Sequence, residues 1–206
     1  MNKKIGLIGS AINALTVLLF AIFLIANLPF AYFFVCIFLS LGYIMMISAF
    51  DTECKKENKT ASKAGLLFGS VYCVLIIIVY FTQCTTVRNE TLSEDIAKVL
   101  DYKYFGLMFN LDLLGYAMMA LSTFFIGFTI NVNNKKDKAL KILLLVHGIF
   151  FLSCLIMPMF GIFKYDPSSH SNGGVIALVV WCIYFLPIGI LSIFHFLDKE
   201  EEQNEA

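Results

Sequence analysis

The chain has 206 residues, of which 59% are hydrophobic, and its 15 basic and 15 acidic side chains leave no net charge. A mean hydropathy of +0.81 is too apolar for an ordinary water-soluble fold. A zero net charge offers no basic field for nucleic acid. The composition therefore argues against a soluble domain and a nucleic-acid-binding protein and places the chain in a lipid bilayer.

The chain begins with apolar runs long enough to cross a membrane. No charged side chain occurs between Lys4 and Asp51, and only Asn27, Leu28 and Pro29 interrupt this stretch. A hydrocarbon core about 30 Å thick is crossed by roughly 20 helical residues, so the stretch predicts two uncleaved spans and a tight turn. Four similar runs follow, and in lipid each must be a helix. The predicted spans are 6–26, 30–50, 64–83, 106–130, 139–163 and 174–197.

These spans predict an all-α six-helix bundle that forms a single transmembrane domain over residues 1–206, with an acidic tail at 198–206. Eleven of the fifteen Lys and Arg residues lie in the N-terminus, the 2–3 loop, the 4–5 segment and the C-terminus. The positive-inside rule then places both termini in the cytoplasm of a multi-pass cell-membrane protein.

Span 1 carries small residues at four-residue spacing, namely Gly6, Ser10 and Ala14. Small residues on one helix face let two backbones approach closely. This face predicts packing within one bundle or, alternatively, a contact with a second copy or another membrane protein. Asn13 lies between these residues, and an amide in lipid is expected to bond another helix.

The longest loop, 84–105, contains a predicted surface helix. Ser93 is a suitable N-cap, acidic residues follow it, and Ile96, Val99 and Leu100 recur at helical spacing. This short amphipathic helix is expected to fill the loop or to act as a lid over an outward cavity.

Asp112 is the one carboxylate within a predicted span. An ionised carboxylate is costly in lipid, so it is expected to face the bundle, water or a cation. Arg88, just beyond span 3 on the predicted outer side, is its natural partner, and Gln83 lies beside it in sequence. Tyr116 is one turn further along span 4. The candidate ligand or ion site residues in and around this outer mouth between spans 3 and 4 are Gln83, Arg88, Asn110, Asp112 and Tyr116.

Two interpretations of Asp112 stay open from the sequence: a site for a proton, cation or substrate amine, and a structural ion pair with Arg88. His147, deep in span 5, is a further candidate. It is expected either to titrate or to be a neutral, hydrogen-bonded packing residue.

Motifs for known membrane chemistries are missing from the sequence. There is no HExxH, no GxSG-type serine, no P-loop and no TVGYG-like filter. The six cysteines have no CxxC spacing, so neither a metal site nor a cofactor is predicted. These absences disfavour an enzyme.

The segments Tyr80–Arg88 and Phe109–Tyr116 resemble those of uncharacterised small six-span integral membrane proteins of low-GC Gram-positive bacteria. That resemblance implies a bacterial membrane protein and a topology, but no activity. Size and span count also resemble the substrate-binding subunits of energy-coupling-factor vitamin transporters, whose span 1 carries an AxxxA surface.

The sequence thus favours transport, or small-ligand or ion binding, through the outer mouth. The alternative is a non-catalytic accessory, sensor or immunity protein that acts by helix contact with a partner.

Overall fold

The computed structural model describes residues 1–163 and 173–204, and all regular secondary structure in these ranges is helical. The α-helices are α1 (Asn2–Ile25), α2 (Pro29–Glu53), α3 (Lys59–Thr82), α4 (Glu94–Leu100), α5 (Leu107–Gly127), α6 (Lys135–His147), α7 (Phe150–Met159) and α8 (Gly173–Asn204). Short 3₁₀ turns cover Lys56–Asn58 and Tyr102–Tyr104, and a π-helical segment, Gln83–Val87, extends α3.

Six helical segments are long and apolar enough to cross a membrane. They are Asn2–Ile25, Pro29–Glu53, Lys56–Val87, Leu107–Gly127, Lys135–Met159 and Gly174–Asp198. Large apolar side chains such as Phe81, Phe160 and Ile183 are more than half exposed on the outside of the bundle, as expected where lipid is the solvent. The predicted all-α fold with six spans is confirmed, and the architecture is that of a multi-pass membrane protein.

The six spans form a closed ring in which each span packs against two neighbours. The order around the ring is α1, α2, α3, α5, the α6–α7 pair and α8, which returns to α1. Aromatic side chains fill the middle, including Tyr43, Tyr72 and Phe185, all with no exposed surface.

The small residues of α1 are buried within this ring. A Cβ on Gly6 would lie 2.7 Å from the Cβ of Ala49, and one on Gly9 would lie 2.8 Å from the carbonyl oxygen of Gly42. Ser10 and Ala14 are buried as well. The face made by Gly6, Ser10 and Ala14 is thus packed against the chain's own helices, as the first of the two interpretations of this face expects.

Asn13, at this helix crossing, does not form the predicted hydrogen bond to another helix. Its side chain is fully buried, but neither its amide nitrogen nor its oxygen has a hydrogen-bond partner in the structure. The expected bond to another helix is absent at a point where the backbones of α1 and α2 approach closely: a Cβ on Gly42 would lie 3.0 Å from the backbone nitrogen of Asn13.

The fifth span differs from the predicted continuous helix over 139–163. It starts earlier, at Lys135, breaks between α6 and α7 at Gly148 and Ile149, and ends at Met159. A Cβ on Gly148 would lie 2.8 Å from Phe124, so the glycine lets α6 end tightly against α5. Pro158, which cannot donate a helical hydrogen bond, precedes the end of α7.

The structure has two polar faces at opposite ends of the ring. The terminal face is the end that carries Lys3, Glu53, Asp137 and His195. The loop face is the opposite end, which carries Pro29, Gln83, Arg88 and Asp101.

Candidate functional site

Asp112 lies inside the bundle, five residues after α5 begins. Its relative exposure is 2%, and the rise of an α-helix places it about 7.5 Å below the start of α5. The loop before α5 folds back over it. Gly106 makes this possible, because a Cβ at that position would clash with the carbonyl oxygen of Lys98 in the preceding helix α4.

Tyr102 supplies the hydrogen bond to this carboxyl group. Its hydroxyl donates to Oδ2 of Asp112 over 2.8 Å. Burial, followed by the proximity of Asp112, raises the pKa of Tyr102 well above the ordinary tyrosine value. The phenol therefore keeps its proton and remains a donor to Asp112.

Gln83 holds Tyr102 in this position. From the π-helical end of α3, its Nε2 donates to the carbonyl oxygen of Leu100 over 2.7 Å, and its Oε1 accepts from the backbone N–H of Tyr102 over 3.0 Å. Gln83 is itself buried. A single amide thus fastens the loop that covers Asp112 to the neighbouring span.

The polar atoms around Asp112 are incompletely paired. Its Oδ1 has no hydrogen-bond partner, nor do the buried hydroxyls of Tyr116 and Tyr72. The ring of Tyr116 contacts the rings of Tyr72 and Trp181, with centroids 5.8 and 5.2 Å apart. A carboxylate with one free oxygen in an aromatic interior is costly when ionised, so the site favours a bound proton or cation.

The loop-face pocket, a cavity of about 300 Å³, opens beside this cluster. Its lining residues are Pro29, Phe30, Phe33, Gln83, Val87, Arg88 and Asp101. The Tyr102 ring packs against Phe33, with centroids 5.5 Å apart, while its hydroxyl reaches Asp112. Tyr102 therefore lies between the loop-face pocket and Asp112.

The structure divides the predicted outer mouth into two parts. Gln83 and Arg88 line the loop-face pocket, whereas Asp112 and Tyr116 lie deeper, on α5. Asn110 is exposed and belongs to neither part, because two residues along a helix turn a side chain to nearly the opposite side.

The predicted ion pair between Arg88 and Asp112 is not formed within the described residues. The Arg88 guanidinium instead lies 4.0 Å from the centroid of the Phe30 ring, a cation–π contact at the loop face. Tyr102 occupies the position beside Asp112 that the sequence assigned to Arg88.

His147 belongs to a separate, neutral network. The indole N–H of Trp181, which can only donate, points to Nε2 of His147 over 3.2 Å. Nδ1 lies 2.8 Å from the hydroxyl oxygen of Thr123, and that hydroxyl lies 2.9 Å from the carbonyl oxygen of Ala120. Nε2 must therefore carry the lone pair and Nδ1 the proton, which matches the packing interpretation rather than the titrating one.

Sequence reasoning missed two polar clusters at the terminal face, because the helices extend beyond the apolar runs. Asp51 accepts from Ser62 over 2.7 Å and pairs with Lys59 and Lys63, each over 3.1 Å. The second cluster joins Glu53, Asp137 and His195. The spacing from Asn134 to Asp137, an N-cap with an acid three residues later, is the signal that could have revealed an earlier start of span 5.

Within the described residues, no group of three or more His, Cys, Asp or Glu side chains has an arrangement that could hold a metal ion. Comparison with models of known protein families, with curated proteins and with solved structures finds no match.

Proposed function

We propose that this chain is an integral protein of the cell membrane that binds a proton or small cation at Asp112, taken up through the loop-face pocket as a first step of transport. The positive-inside rule supports cytoplasmic termini, so the loop face is the outer one. The observation that carries the proposal is the buried Asp112 carboxyl group, whose Oδ1 has no partner.

The energetics of this carboxyl group support binding rather than a purely structural role. A structural ion pair would place a basic side chain against it, but the bond from Tyr102 is a neutral one. A neutral donor offsets only part of the cost of removing a carboxylate from water. Protonation or a bound cation removes the rest of that cost, so Asp112 is suited to exchange such a ligand.

Movement of the loop that carries Tyr102 would give the ligand a route from the loop-face pocket to Asp112. Movement of residues 100–105 away from α5 would break the Tyr102–Asp112 bond and join the carboxyl group to the loop-face pocket. Two hydrogen bonds to Gln83 oppose this movement. Such a loop is suited to open and close on the timescales of lid motion.

Infrared difference spectroscopy of the protein in lipid nanodiscs tests the proposal. A protonated carboxyl band is expected in acidic buffer, with Na⁺ and ammonium as probes that diminish it by displacing the proton. The band should be absent from Asp112→Asn and retained in the matched variant Asp101→Asn, which changes a carboxylate of the pocket wall. No Asp112 band at any pH, together with no response to either probe, would overturn the proposal and favour the accessory function.

A further inference from the structure

A buried histidine at the terminal face joins three spans. The Nδ1 of His195, on α8, lies 2.7 Å from Oδ1 of Asp137 on α6. Its Nε2 lies 3.1 Å from Oε2 of Glu53 at the end of α2. The His195 side chain is 5% exposed, and the ring of Phe50 packs against it, with centroids 5.4 Å apart.

Asp137 is held firmly by its helix cap. Its backbone N–H donates to the side chain of Asn134 over 2.9 Å, and its Oδ2 accepts from the backbone N–H of Asn133 over 3.1 Å. These two bonds orient Oδ1 toward His195. Glu53 has no comparable support: its Oε1 has no hydrogen-bond partner, and its side chain is 21% exposed.

The hydrogen bonds match a positively charged imidazole. An ionised carboxylate only accepts hydrogen bonds, so a ring that faces two carboxylates makes both bonds only when both nitrogens carry protons. The positive ring then separates two negative groups. After loss of one proton, a single N–H remains between the two carboxylates, and one of them loses its hydrogen bond to the ring.

We propose that the Glu53–His195–Asp137 cluster is a proton-binding site that holds the terminal-face ends of α2, α6 and α8 together. Proton loss releases Glu53, the less constrained of the two acids, and with it the end of α2. Glu53, His195 and Phe50 also line the terminal-face pocket, a cavity of about 240 Å³. The release of Glu53 therefore enlarges this cavity.

The other charged groups facing this region are placed as follows, within the described residues. From α1, Lys3 lines the same pocket. On α2, Asp51 is paired with Lys59 and Lys63 from α3. Lys136 of α6 is paired with Asp198 of α8, at 3.4 Å. Among these side chains His195 is the imidazole, the side-chain type whose ordinary charge change falls near neutral pH.

The sign of the pH dependence follows from linkage. The folded bundle binds the proton of His195 through two carboxylates that the unfolded chain does not hold in place. The stabilisation is therefore present in acid and is lost as the pH rises. An ordinary imidazole releases its proton near pH 6.5, and the two carboxylates favour the charged ring. The loss of stabilisation is therefore expected between about pH 6 and about pH 9.

Hydrogen–deuterium exchange of the full-length protein in nanodiscs, corrected for the intrinsic effect of pH, tests this site. The wild-type segments around Glu53 and His195 should lose protection between about pH 6 and about pH 9. His195→Gln, which keeps a donor but cannot bind the extra proton, should show no such step. Glu53→Gln should move the step to lower pH by about one unit.

Lys63→Gln is the matched control, because it removes an ion pair of the same face without touching the histidine. It should show the same pH-dependent loss of exchange protection as the wild type. A missing step in the wild type, or a wild-type step in His195→Gln, would overturn the proposal. If His195→Gln does not fold, the Glu53→Gln result decides, and an unmoved step refutes the site. None of these variants touches Asp112, so this result is independent of the function proposed above.

Discussion

The hydroxyl of Tyr102 donates a 2.8 Å hydrogen bond to Oδ2 of the buried Asp112 carboxyl group, whose Oδ1 has no hydrogen-bond partner in the structure. The two residues lie on different elements, a 3₁₀ turn of the loop and the first turns of α5. A loop residue thus supplies a hydrogen-bond donor to a carboxyl group within the bundle.

Tyr102→Phe should lower the free energy of unfolding by about 1–3 kcal/mol, because it removes the Tyr102 hydrogen bond to a buried carboxyl group. Thermal unfolding in detergent, followed by the fluorescence of the single tryptophan, measures the loss. In the double variant with Asp112→Asn the cost of Tyr102→Phe should change, since the two residues interact directly. Additive effects of the two substitutions would show that the bond contributes nothing.

The difference between wild type and Tyr102→Phe should shrink in alkali. Burial raises the pKa of Tyr102, so the folded state keeps the phenolic proton while the unfolded state releases it above about pH 10. Stability that depends on this proton is present below that pH and is lost as the pH rises. Unfolding series in alkaline buffer check this, and a constant difference at all pH values would contradict it.

Gln83→Ala should loosen the loop over Asp112 without unfolding α3. It removes the two hydrogen bonds that hold Leu100 and Tyr102, so hydrogen exchange of residues 100–105 should rise severalfold. Thr85→Ala is the control, since Thr85 donates only to Phe81, one turn back in its own helix. Equal exchange in both variants would mean that Gln83 does not hold the loop.

Gly42→Ala should destabilise the crossing of α1 and α2. The added Cβ would lie 2.7 Å from Ile12 and 3.0 Å from the backbone of Asn13, and overpacking of this kind costs about 1–3 kcal/mol. Gly174→Ala is the matched control, because a Cβ there meets nothing within 4 Å. Similar melting temperatures of both variants would argue against the close helix approach.

Much of the architecture was predictable from the sequence, because apolar runs near bilayer length leave few alternatives to helices. The burial of Asp112 was predictable too, since a carboxylate in such a run must avoid lipid. Its hydrogen-bond partner was not. Arg88 was the expected partner because it lies just beyond span 3 on the same predicted side, but the contact with Tyr102 depends on Gly106 and Gln83, which act through tertiary packing.

The terminal face was harder to predict for a different reason. Apolar runs mark where lipid begins, but helices continue past that boundary when capping residues allow it. Asn134 starts α6 four residues before the apolar run, and α2 continues to Glu53. Asp137 and Glu53 thereby come within reach of His195, a contact across three spans that has no local pattern.

The most direct test of the account is the reaction of Asp112 with a water-soluble carbodiimide and glycinamide, which converts accessible carboxyl groups to amides, followed by mass spectrometry of the labelled peptides. Asp101, at the wall of the loop-face pocket, serves as the internal reference. Asp101 should be labelled in every variant, whereas Asp112 should be protected in the wild type and labelled in Tyr102→Ala. Wild-type labelling of Asp112 as fast as that of Asp101, or an unlabelled Asp112 in Tyr102→Ala, would contradict it.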